Sequence, residues 1–404
     1  MSREQVESVA CKLFTYCRAS NWAGYDPYDA LNSRIVEAFP FLQARIPALV
    51  LTQGLKRSPV NVRSLLLVPK KQNPKGLALF LSSVVRAPML AGADAEEVEA
   101  ELLDRILTLR STGSEYWCWG YSFPWRGRDM IVPRWAPNLV CTQFVGTALL
   151  DLYERRGDLR HLEIAVSAAD YILNELYWTS GDEKAGFSYP LPSHRNIVHN
   201  ANLLASSYLC RVHRLSGLER FRAPALRAAR LAIALQREDG SWPYGEGRHQ
   251  EWIDNFHTCY NLSALQSIGR DLVTDEFQPS IDRGLTFYLA HFFREDGAAR
   301  YFHDRTYPID IHSVAVAIIT LLEFQFHDVG NAELAEKVLR WAIENMWSER
   351  GFFYYRTLRF CKIRTPYIRW SEAWMLRALA EYLHAQSQPD EPSQSKLEES
   401  YKIW

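Results

Sequence analysis

The chain repeats itself, and that repetition narrows what it can fold into more than any other feature. At intervals of roughly 55–65 residues a polar cluster opens an apolar stretch of helical character, six times over. The openings are Asn73-Pro74-Lys75-Gly76, Asn138, His199-Asn200, Asp254-Asn255, Asp310-Ile311-His312 and Tyr367-Ile368-Arg369-Trp370. Runs such as LVCTQFVGTALLDLY, VAVAIITLLEF and AWMLRALAEYL follow them. Aromatic, Gly-containing loops keep the same beat, among them WCWGYSFPWRG, DGSWPYG and RGFFYYR. A fixed period means one supersecondary unit used repeatedly. Here the unit reads as helix, aromatic loop, helix. Six of them predict an all-α fold, a closed (α/α)6 toroid of six helical hairpins, with the polar clusters and aromatic loops at one rim.

A repeat spanning most of the 404 residues argues for one large helical domain despite the length. Residues 1–72 read as an N-terminal helical extension wrapping the toroid, 73–386 as the toroid itself, and 387–404 as a flexible polar tail. Outer helices are predicted at 159–178, 220–237, 276–292 and 331–347, where apolar residues recur on one helix face. Asp254 and Asp310 stand just before apolar helices, where Asp is a common N-cap. Net charge is −1, so no global charge draws the chain to nucleic acid or an anionic surface. The seven cysteines form no CxxC, and their odd number argues against a disulfide framework. The N-terminus lacks the apolar core of a signal peptide, and no run is long enough to span a membrane. The expectation is a protein of a reducing, cytoplasmic compartment.

Two segments concentrate chemistry. The first, QREDGSWPYGEGRHQEWIDNFHTCYN (236–261), holds Trp242, Glu246, Asp254, Asn255, His257, Tyr260 and Asn261. His257, Tyr260 and Asn261 share a helix face by their i,i+3 and i,i+4 spacing. A closed ring brings Asn200 and His312, from equivalent openings, to the same cavity. Carboxylates, His, Tyr and Arg under aromatic walls describe a polar organic ligand pocket, and sugars fit it. The second segment, GFFYYRTLRFCKIRTPYIRW (351–370), sets Tyr354, Tyr355 and Tyr367 among Arg356, Arg359, Arg364 and Arg369. Such cation density predicts an anionic ligand, since Arg grips carboxylates bidentately. It also lowers a nearby Tyr pKa from about 10 and readies it for proton transfer. The histidines show no metal-ligand spacing, and no phosphate-loop or serine-elbow motif occurs. Neither a metal nor a cofactor is expected.

Gly351-Phe352-Phe353-Tyr354, Arg359, Pro366 and Arg369-Trp370 follow the order and nearly the spacing of the segment that closes the catalytic domain of D-glucuronyl C5-epimerases. The chain resembles that family over about 20 residues closely and over the repeat region loosely. It departs after Trp370, where Ser371-Glu372 replaces the family's acidic-aromatic pair. The string from Gln236 to Trp242 is also similar to one in squalene and terpene cyclases, without their acid motif. The resemblance implies an enzyme acting on an acidic, uronate-containing saccharide. In C5 epimerisation Tyr354 or Tyr355 serves one face of the sugar, and Tyr260, His257 or Glu246 the other. Arg359 and Arg369 hold the carboxylate; Asn200, Asn255, Asn261, Trp242, Asp310, His312 and Tyr367 bind the sugar. A glycoside hydrolase or lyase on the same toroid is the alternative, with Asp254, Glu246, Asp310 and Glu372 as candidate carboxyls. A non-catalytic saccharide-binding scaffold in polysaccharide biosynthesis and a terpene-cyclase-like enzyme are the others.

Overall fold

A computed structural model describes residues 1–127, 130–181 and 184–387. The tail expected over 387–404 lies outside the described residues except for Ser387. Four of the six polar openings become side-chain N-caps. Asn73 accepts from the Lys75 N–H, Asn138 from Cys141, Asp254 from His257 and Asp310 from His312. Each ends the extended backbone and satisfies one amide the first helical turn leaves orphaned. The opening at 199–200 follows Val198, which offers no side-chain cap, and that at 367–370 leads through a π-helical turn, Ile368–Glu372.

Fourteen helices of the α type follow in chain order among the described residues. They are α1 (Arg3–Ala19), α2 (Arg34–Ala38), α3 (Arg45–Arg57), α4 (Pro74–Arg86), α5 (Ala95–Thr108), α6 (Leu139–Arg156) and α7 (Leu159–Tyr171). Then come α8 (His199–Ser216), α9 (Arg222–Ala234), α10 (Asn255–Leu272), α11 (Gln278–His291), α12 (Ile311–Glu323), α13 (Val329–Met346) and α14 (Ala373–Ala385). The even helices from α4 to α14 each pack on the next, and α14 returns to α4, so the inner ring closes. Helices α5, α7, α9, α11 and α13 pack outside α4, α6, α8, α10 and α12. The sixth outer position, against α14, belongs to α1, so the chain's first and last described helices make one hairpin. The fold is an all-α, (α/α)6 toroid. Among the described residues strands are two to four residues long and confined to loops, as in Tyr177–Ser180 with Lys184–Phe187 and Ile309–Asp310 with Arg356–Thr357 and Lys362–Ile363.

Inner helices are buried nearly all round because ring neighbours and outer helices share their surface. α12 buries eleven of its thirteen residues, Ile311 to Ile318 among them. Outer helices bury one stripe, as α9 does with Ala225, Ala228, Ala229 and Ala232. The two ends of the ring differ. Inner helices α6 and α8 end on Gly157 and Gly217 at φ 73° and 71°, a left-handed cap that turns the chain straight into the next outer helix. Outer helices instead reach the next inner helix through the long aromatic loops, so these gather at the N-terminal ends of the inner ring. At the opposite end a cavity of about 190 Å³ opens, with Phe144, Tyr260 and Trp374 among its lining. Its rim carries ion pairs, including Arg211–Asp151 at 2.7 Å and Arg214–Asp271 at 2.9 Å.

Between α1 and α4 the chain builds a lobe with its own small core of Leu31, Val36 and Ala48. Two buried ion pairs tie the lobe's base in place. Arg63 Nε donates to Asp29 at 2.7 Å, and Arg369 donates from Nε and Nη2 to both oxygens of Asp26 at 2.6 and 2.8 Å. The second pair spans the lobe and the turn before α14, which orients that turn and its aromatic residues toward the ring axis.

Candidate active site

The loop end of the ring forms a cleft. Tyr28, Tyr121, Tyr189 and Tyr244 are surrounded by protein yet keep partly exposed surface, as side chains lining a deep opening do. Phe256, Tyr260, Tyr301, Trp370 and Trp374 complete an aromatic wall.

Three pairs inside this wall can move protons. In the first, Asp254 accepts the His257 backbone N–H at 3.1 Å through Oδ1, while its Oδ2 lies 2.8 Å from His257 Nδ1. A carboxylate accepts only, so Nδ1 is the ring nitrogen that carries a proton towards Asp254, and the tautomer bare at Nε2 has its lone pair there. Tyr244 and Phe256 flank this ring at 4.8 and 4.0 Å, and Trp252 both stacks on Tyr244 and donates to Asp254. In the second pair, Tyr260 Oη and His312 Nε2 are 2.7 Å apart. Burial, with Lys75 and Arg369 nearby, holds His312 well below the ordinary His range, so it stays neutral. Burial also pushes the Tyr260 hydroxyl well above the usual 10. In the third pair, Lys56 Nζ donates to Tyr28 Oη at 2.5 Å. Burial, and then the Arg356 charge, lower Lys56 to about 7.

Cations surround these pairs. Arg356 Nε donates to Asp310 Oδ2 at 2.6 Å, while Asp310 Oδ1 takes the His312 N–H at 3.0 Å and Trp370 Nε1 at 2.9 Å. Lys75, 3% exposed, lies over the Phe144 ring at 3.9 Å and near Trp374 at 5.3 Å. Burial drives its pKa well below 10.5. An amine on aromatic faces at the cleft floor, whose charge burial disfavours until an anion compensates it, is a place where an anionic group can settle.

The residues expected from the sequence separate into three groups. Asp254, His257, Tyr260, Asp310, His312 and Arg369 come together in the cleft, as above. Tyr355 and Tyr367 are buried beside them, ring against ring at 4.9 Å, with Arg356 over Tyr355 and Arg63 over Tyr367. Glu246, 2.8 Å from His199 Nε2, and the buried Asn200 lie at the next inner opening. Asn261 is buried on α10. The others lie elsewhere. Arg359 is exposed in the turn Leu358–Cys361, its guanidinium over Phe360. Tyr354 points the other way from Tyr355, onto Phe352. Trp242 packs against Gly284 in the outer layer and donates to the Ala232 carbonyl, so its ring is not available for stacking. Asn255 faces Cys259 and Tyr288, between the layers. Glu372 lies in the core, accepting the Phe353 N–H at 2.9 Å. Sequence reasoning missed Tyr28 and Lys56, which the lobe supplies, and Arg356, Lys75, Tyr244 and Tyr301. Arg356 and Lys75 fell within segments already singled out; nothing in the spacing marks Tyr28 or Lys56.

No protein-family model and no curated protein matches the chain. Solved structures do. An unsaturated glucuronyl hydrolase specific for heparin superposes with a TM-score of 0.64 at 11% identity, covering 96% of this chain and 98% of that one. The Lin0763 protein from Listeria innocua gives 0.61 at 13%, covering 99% of both. Cellobiose 2-epimerase from Bacillus thermoamylovorans B4167 gives 0.60 at 11%, covering 78% of this chain and 89% of that one. At such identity the likeness establishes the fold alone: the chain shares the toroidal architecture of these proteins over between 78% and 99% of its length.

Proposed function

We propose that the protein is a saccharide-processing enzyme acting on an acidic, uronate-type sugar by proton transfer α to the carboxylate, most concretely a C5-epimerase. One observation carries this reading. Among the described residues, Asp254, Asp310 and Asp26 are each committed to a cap or a cation, whereas His257 Nε2 and the Tyr260–His312 and Lys56–Tyr28 pairs remain to move protons. Hydrolysis needs a carboxyl pair with free oxygens, one protonating the leaving group. Epimerisation needs a base, an acid for return of the proton, and cations for the enolate. His257, oriented by Asp254, is the base; Tyr260 or Lys56–Tyr28 returns the proton; Lys75 and Arg356 stabilise the charge. The fold likeness to a glucuronyl hydrolase and a cellobiose 2-epimerase supports saccharide chemistry.

Hydrolysis is the second reading, favoured by Glu246, which keeps 39% of its side chain exposed beside His199. Incubation with glucuronate-containing oligosaccharides in D2O separates the two. Deuterium at C5 supports epimerisation. An unsaturated chromophore without C5 exchange in recovered substrate moves the reading to a lyase, new reducing ends to a hydrolase using Glu246.

A further inference from the structure

The lobe between α1 and α4 turns more large apolar side chains outward than inward. Of the fifteen exposed large hydrophobic residues among the described part of the chain, seven fall between 39 and 67. A segment this short holding nearly half of them is an uncovered surface rather than ordinary scatter. Phe41, Ile46 and Leu65 are 66%, 73% and 77% exposed. Phe39 and Phe41 sit edge to face at 6.1 Å on the rim. Helix α3 sets its buried face, Ala48, Thr52 and Leu55, against the lobe and leaves Ile46, Val50 and Arg57 outside.

The same segment is strongly basic. Residues 34–71 hold seven Lys and Arg and one acid, Glu37. Lys56 and Arg63 turn inward to Tyr28 and Asp29. Glu37 is paired with Arg134 at 2.7 Å. Arg34, Arg45, Arg57 and Lys70 remain exposed. The whole chain carries −1, so the rest of the molecule is negative and the lobe is its positive pole. That polarity decides between occupants. In an isologous dimer the patch meets itself and sets like charges face to face, which is unfavourable. An anionic bilayer complements both properties, taking aromatic and aliphatic side chains at the headgroup boundary while attracting the basic residues around them.

We propose that this lobe docks the protein on an anionic lipid surface, with Phe39, Phe41, Ile46 and Val50 inserted. Because α3 also carries Lys56 into the cleft, docking sets the cleft's lobe wall beside the bilayer. Sedimentation with vesicles of phosphatidylcholine alone, or with about one third phosphatidylglycerol, tests this directly. The expected result is binding to the anionic vesicles only, weakening as salt rises. It should fall about tenfold in Phe41→Ser/Ile46→Ser and in Arg34→Glu/Arg57→Glu, with melting temperatures unchanged. In the wild type, hydrogen exchange should slow at 39–67 when anionic vesicles are added. Absence of vesicle binding overturns the proposal. So does equal binding by the variants, or a dimer in solution that the same substitutions dissociate.

Discussion

Asp254 does two jobs that a single substitution can separate. Its Oδ1 caps α10 and its Oδ2 orients His257. Asn caps nearly as well as Asp but cannot hold Nδ1 protonated by charge. Asp254→Asn should therefore leave the melting temperature within a few degrees while turnover falls about 10²–10⁴-fold, the range for a misoriented general base; equal loss of both in thermal melts and initial rates would make Asp254 a cap only. Lys56 gives a pH signature. Its pKa falls from 10.5 when unfolded to about 7 when folded. Between those values the unfolded chain holds the extra proton, so this group makes stability rise as pH climbs through that window. The Lys56→Met variant should accordingly gain melting temperature over wild type at pH 6 and lose most of that advantage by pH 10, read in paired melts. Recognition of an anionic sugar should move oppositely, with KM rising above about pH 7 in wild type but not in the variant. Much of this residue set was legible in sequence: spacing alone put His257 and Tyr260 on one face and capped α10 and α12 with Asp. Lys56 and Tyr28 were not, because their contact depends on how the lobe folds back over the ring.

At the level of the element, the short hairpin after Tyr355 sorts the arginines of the Tyr–Arg segment. Arg356, in the strand paired with Ile309–Asp310, is carried inward to Asp310; Arg359, three residues on, falls in the turn and faces solvent. A dense run of cations could be read from the sequence, but not which one is buried, since strand register is set by pairing with a segment nearly fifty residues away. Arg356→Ala should cost about 3–5 kcal/mol in urea melts because it strands a buried carboxylate. Arg359→Ala should stay within about 0.5 kcal/mol, and its effect on turnover should be slight. A large activity loss in Arg359→Ala would place a mobile arginine over the cleft that its exposed position does not suggest.

The whole molecule closes through helices from both ends of the chain. Five hairpins and their period were legible because each is local, with its polar opening, apolar run and aromatic loop contiguous in sequence. The sixth is discontinuous, and residues 1–20, read as part of an extension, hold the outer place against α14. α1 buries Val6, Leu13 and Phe14 there, together on the order of 5–9 kcal/mol, comparable to the whole net stability of a typical domain. A chain lacking residues 1–20 should lose its cooperative transition in calorimetry, and added α1 peptide should restore it. This closure also dictates an order of events. While the chain is being made, α1 emerges long before α14, the inner helix it packs against, so the ring stays a broken circle through most of synthesis. Bringing such distant segments together is the slowest kind of contact to form. A permuted gene that joins residue 385 to residue 3 through a short linker and opens the ring at Gly217 would turn this seam into a neighbourly hairpin. Refolding should then run faster, with the finished cleft unchanged.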